Sequence, residues 1–167
     1  MLLARPKEIY DGAIPSGNSV QLLNLLRIAR MTGDTELESR AGKLVRAISG
    51  QVHQSPSISP HLLSRAAFAL GPSFEVVIAA DNPAASDTRA MRRTLFSQFL
   101  PNKVVVFRPA SGDEPPITRI APYTKMQRAI GGKATVYVCT NYVCKLPTTD
   151  PGKMVSLFAQ RTSTSVK

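Results

Sequence analysis

Asp11, Ser16, Asn18 and Ser19 put a carboxylate, two hydroxyls and an amide into one short stretch of chain, Tyr10-Asp-Gly-Ala-Ile-Pro-Ser-Gly-Asn-Ser-Val20. Polar groups gathered at a helix start meet unpaired N–H groups and the positive end of the helix dipole. A carboxylate there could act as acid, base or acceptor of a sugar hydroxyl. Glycoside hydrolysis needs two carboxylates across the scissile bond, and this segment supplies one. The competing assignment, which the sequence favours, is structural: Ser16 or Asn18 caps the helix while Asp11 holds a turn with Gly12.

Cys139 and Cys144 form a second candidate pair at the end of a predicted strand, and open α/β sheets bind ligands beyond the carboxyl ends of strands. Cys-x4-Cys without a second pair is a poor zinc set, and it lacks the Cys-x-x-Cys redox spacing. Two cysteines make no disulfide framework, so they are expected as free, structural thiols behaving as small hydrophobes. Asp81 follows another predicted strand. It reads as a turn residue, because no glycine-rich phosphate loop comes after it. His53 falls in a predicted loop and His61 in a first helical turn, and neither has a serine or cysteine at triad spacing. No metal and no cofactor is expected.

The elements that must position these residues begin with helices. Leu22, Leu25, Leu26 and Ala29 recur at helical spacing after Ser16 and Asn18, with Leu23 and Ile28 widening the stripe, and Gly33 is a natural stop. Asp34 or Thr35 starts a second helix with Leu37, Ala41, Leu44, Val45 and Ile48 on one face, giving an antiparallel helical hairpin. Ser59-Pro60 opens a third helix ending at Gly71-Pro72. The pattern then changes. Strands are predicted over 74–80, 103–107 and 134–139. Helices are predicted from Ser86 or Asp87 to about Leu100, over 122–129, and from Asp150-Pro151 to about Ala159. The tail 161–167 reads as polar and frayed. The chain thus divides into a helical segment, 1–71, and a small α/β unit, 72–167, with three mostly parallel strands.

Length and composition set bounds. The 167 residues, 43% hydrophobic, are enough for a packed core, and no apolar run approaches the roughly 18 residues of a membrane span. A soluble, cytoplasmic protein without membrane partners is expected. The net charge of +10 is uneven: eight Lys/Arg against five Asp/Glu up to Gly71, thirteen against six beyond it. A basic half attracts nucleic acid. However, no run of five like charges, few aromatics and no tryptophan disfavour that partner.

Three motifs in fixed order carry a resemblance: Asp11-Gly-Ala-x-Pro-Ser-x-Asn-Ser-Val20, Leu100-Pro-Asn-Lys-Val104, and Ala134-Thr-x-Tyr-Val-Cys-x-Asn-x-x-Cys144 followed by Pro147 and Thr149-Asp-Pro151. Together they resemble the C-terminal part of the YyaL-type proteins, the family of the spermatogenesis-associated thioredoxin-like protein. The resemblance implies a thioredoxin-like domain and most of an (α/α) toroid upstream, the toroid being similar to N-acylglucosamine 2-epimerases and six-hairpin glycosidases. It also implies that helices one to three are that toroid's closing hairpins. The function is not assignable from sequence. The leading expectation is a C-terminal structural or interaction module without a complete active site, partnered by the missing toroid and thioredoxin-like portion or by another copy. The alternatives are a carbohydrate-active enzyme fragment using Asp11 and a basic nucleic-acid-binding module.

Overall fold

A computed structural model describes residues 8–112 and 114–159; the tail 161–167 and residues 1–7 lie outside the described residues. The chain divides into two compact units, Met1–Pro72 and Ser73–Lys167.

The first unit is helical. α1 spans Gly17–Thr32. The Ser16 side chain accepts from Ser19 N–H at its start, and Gly33 at φ 79° returns its N–H to the Ala29 carbonyl at its end. That left-handed cap needs a residue without Cβ. Asp34 then accepts from Glu36 and Leu37 N–H and starts α2, Thr35–Gln54, with Glu36 and Glu38 in its first turn. The two-residue turn folds α2 back on α1, where Arg30 meets Glu38 at 3.2 Å. α2 runs further than its polar C-terminal residues suggest, so His53 is helical rather than in a loop. A single 3₁₀ turn, Pro56–Ile58, leads to α3, Pro60–Leu70, with His61 in its first turn. Leu22, Leu26, Ala29, Ala41, Ile48, Leu62 and Phe68 form the buried face, while Ile28 is exposed.

The second unit is an α/β layer. β1 (Phe74–Ala80) and β2 (Lys103–Pro109) are joined through α4 (Ser86–Phe96), and β3 (Thr135–Thr140) is followed by β4 (Val143–Cys144). The sheet order is β2-β1-β3-β4. Among the described residues the sheet has four strands rather than three. β1–β2 is parallel, while β1–β3 and β3–β4 are antiparallel. Strand direction depends on where the chain re-enters the sheet, which local pattern does not encode. On one face Val76, Ile78, Val136 and Val138 pack with Met91 and Leu95 of α4 and Met154 of α6 (Pro151–Ala159). Phe74 and Phe158 meet edge-to-face at 5.2 Å. Asp150 opens α6 by accepting from Gly152 and Lys153 N–H.

The other face is covered by the segment from α5 (Ile117–Ile120) through the 3₁₀ turn Pro122–Thr124 to Gln127. Arg108 on β2 donates to the Lys125 carbonyl, and Thr118, Ala121, Thr124 and Gln127 are buried. The helix expected over 122–129 is therefore absent. The Thr118 and Thr124 hydroxyls bond carbonyls three residues back and close single turns instead. α4 likewise stops at Phe96 instead of Leu100. Ser97 bonds back to the Thr94 carbonyl, Phe96 and Phe99 lie exposed, and Ala85, not Ser86 or Asp87, occupies the cap position.

Candidate functional site

Asp11 is buried, and each of its oxygens has a fixed task. Oδ1 accepts from Ser16 N–H at 2.8 Å, and Oδ2 accepts from Leu62 N–H at 3.1 Å, 51 residues away. Leu62 is the third residue of α3, so Oδ2 takes the place of that helix's own cap. Ser59, the residue expected to cap α3, instead donates its hydroxyl to the Ile9 carbonyl. One carboxylate thus closes the N-termini of two helices. Burial alone would raise its pKa. The Ser16 amide, the Ser19 hydroxyl, the Leu62 amide and the Ser16 hydroxyl outweigh that and hold it below the ordinary carboxylate value. Ser16 and Ser19 exchange a hydroxyl contact at 2.9 Å, and the Asn18 amide donates to the Glu8 carbonyl. Asp11, Ser16 and Ser19 thus form one network whose bonds run to backbone groups and to each other, while Asn18 bonds the Glu8 carbonyl apart from it.

Beside this network the helical unit leaves an apolar groove open. One part, about 400 Å³, is lined mostly by apolar residues including Leu26, Ala41, Val45, Ala66, Ala69 and Leu70, together with the charged Arg30, Glu38 and Arg46. It shares Val45 and Ala66 with a second part of about 670 Å³ that reaches Val52, His53 and Leu63. Leu70 is 88% exposed and Leu63 42%.

In the α/β unit the two cysteines are joined as a disulfide, which corrects their expected role as free thiols. They stand opposite one another in the β3–β4 ladder, where antiparallel pairing brings side chains close. The turn between them is Asn141-Tyr142, both at positive φ (50° and 61°), as a two-residue hairpin loop demands. Asparagine tolerates this conformation, whereas a tyrosine in it is strained. Tyr142 is held from two sides. Its N–H donates to Glu75 Oε2 at 3.0 Å, and its ring meets Tyr123 at 5.1 Å. Burial pushes the Tyr123 phenol up, with Tyr142 and Glu75 adding to the shift, and its buried hydroxyl has no hydrogen-bond partner among the described residues. Gln127 Nε2 lies 3.3 Å from Cys144 Sγ and 3.7 Å from Cys139 Sγ.

Asp81 lies exposed after β1 and joins neither group. Among the described residues no cluster of three or more His, Cys, Asp or Glu side chains could hold a metal. No described helix is long and apolar enough to cross a membrane. Glu75, Tyr123 and Gln127 are not evident as site residues in the sequence. The available signal was Glu75, a carboxylate inside the apolar run Phe74–Ala80, which must find partners when the strand is buried.

The chain is similar to spermatogenesis-associated protein 20. It is 33% identical to the protein of Rattus norvegicus over 157 residues, 93% of this chain and 20% of that protein. Against the Mus musculus protein it is 32% identical over the same length and shares, and against the Homo sapiens protein 33% identical over 155 residues, 92% and 19%. The chain therefore spans about a fifth of the length of the curated relatives it matches. No family model matches, and no solved structure does. The match covers nearly the whole length of the chain.

Proposed function

We propose that this chain is a packing and interaction module from the C-terminal part of a longer protein of the spermatogenesis-associated protein 20 type, without a complete active site of its own. The observation that carries this reading is the open groove on α1, α2 and α3, flanked by the exposed Leu63 and Leu70. A continuous apolar groove of this extent marks a surface made to be covered. The occupant is the remainder of the same polypeptide, because relatives of matching sequence are about five times as long. The alternative, a sugar-processing fragment, rests on Asp11, whose two oxygens already serve Ser16 and Leu62.

The test is the intact mass of the polypeptide recovered from its source cells with an antibody to this chain. The reading expects a species several times heavier than 18.1 kDa. A species near 18.1 kDa, stable and monodisperse, would overturn it.

A further inference from the structure

The disulfide of the β3–β4 hairpin is built unevenly. Cys139 is fully buried, whereas Cys144 is exposed on β4, the edge strand of the sheet among the described residues. Gln127 stands behind the pair, 5% exposed, with Nε2 donating to both sulfurs. Its Oε1 is buried and has no partner among the described residues. A disulfide carries no proton, so neither orientation of the amide can satisfy that oxygen while the bond is intact. Reduction creates two S–H donors beside it, and a turn of the amide then places an acceptor against a thiol. A buried acceptor left unpaired is costly, so the oxidised form bears a penalty that the reduced form can remove.

We infer that Cys139–Cys144 is a thiol–disulfide exchange site, entered at Cys144, with a dithiol as its reductant. The site stands independently of the packing role. In the first step a thiolate of the dithiol attacks Cys144 Sγ. A new S–S bond forms, the Cys139–Cys144 bond breaks, and the electron pair leaves on Cys139 Sγ. Gln127 Nε2–H is already directed at that sulfur and receives the developing charge. In the second step the other thiolate of the reductant attacks its own sulfur in the mixed disulfide and releases Cys144 as a thiolate. Two electrons have passed to the protein, the reductant leaves as its disulfide, and its two thiol protons reappear on the cysteines. Attack in the opposite sense is blocked, because Cys139 is enclosed.

The experiment uses the whole chain, folded, without denaturant. It is treated with dithiothreitol for the rate, or with glutathione for the site, quenched with iodoacetamide and read by mass. Two thiols should appear while the circular dichroism spectrum is retained, and the glutathione adduct should sit on Cys144. Gln127→Glu, which keeps the shape and removes the donor, should slow reduction by about tenfold or more. Should that variant fail to fold, the single-cysteine proteins decide the matter. Cys139→Ser should react readily with an aromatic disulfide reagent in the native state, and Cys144→Ser should not. Reduction only in denaturant, an adduct on Cys139, a wild-type rate in a folded Gln127→Glu, or equal reactivity of the two single-cysteine proteins would each overturn the assignment.

Discussion

Replacing Asp11 by asparagine separates a capping carboxylate from a catalytic one by the sign of its effect on stability. In the wild type two backbone N–H groups, from Ser16 and Leu62, donate to the charged side chain at 2.8 and 3.1 Å. Asparagine keeps one acceptor and presents an NH₂ group to the other amide. The retained bond falls from charge-assisted to neutral, a loss of about 1 kcal/mol. The other amide becomes a buried, unsatisfied donor, costing about 1–3 kcal/mol. Two helix N-termini also lose a neighbouring negative charge, worth about 0.3–1 kcal/mol each. The total is about 3–6 kcal/mol of destabilisation. A carboxylate retained for chemistry behaves in the opposite way, since removing active-site charge commonly leaves stability unchanged or raises it. Urea unfolding of the whole chain followed at 222 nm measures the loss, and amide exchange at Ser16 and Leu62 localises it. A loss below about 0.5 kcal/mol, or a gain, would refute the shared-cap reasoning. The pH dependence carries the same sign. Asp11 titrates lower in the folded chain than in the unfolded chain. Its contribution is therefore complete above the unfolded value near pH 4 and is lost as pH falls through the lower folded value. Asp11→Asn should abolish that part of the acid limb.

Two further outcomes follow from local geometry. Gly33→Ala forces a Cβ into a left-handed helix end at φ 79°, and should lower stability by about 1 kcal/mol in the same urea assay, with α1 and α2 retained. Cys144→Ser opens a covalent loop closed across only five residues. Chain entropy then predicts a cost of about 2 kcal/mol, confined to the α/β unit and readable from exchange of the β3 amides.

The parts of the fold that were legible in the sequence are those fixed by neighbouring residues. Ser16, Gly33, Asp34 and Pro151 mark helix ends through bonds or ring constraints that span a few positions, and the helices begin or stop there. Phe74–Ala80 was readable as a strand because a short, β-branched and mostly apolar run of that length, bounded by Pro72 and Asp81, suits a strand buried on both faces. The misreadings arise where distant partners decide. β3 pairs antiparallel to β1, a choice settled by the return path of the chain and not by the residues of β3. Asp87 was read as a helix cap, but its Oδ2 accepts from Ala134 N–H, 47 residues on, and its Oδ1 from Thr88 N–H. Asp11 showed its acidic character and its place near a helix start, while the second helix it closes was hidden behind a separation of 51 residues. The cysteine spacing hid a hairpin for a different reason. β4 is two residues long, and its turn places a tyrosine where glycine would have signalled the bend.

In the proposed packing role, the groove on the helical unit is covered by the rest of a longer polypeptide. Ala69 lies exposed at its edge in this chain, so Ala69→Arg tests the claim in two settings. In the isolated chain the substitution should cost no more than about 0.5 kcal/mol, as surface changes do. In the full-length protein it should cost about 2 kcal/mol or more, because a charge is then driven into a covered apolar contact. The same small cost in both proteins would contradict the account, and so would the full cost appearing already in the isolated chain.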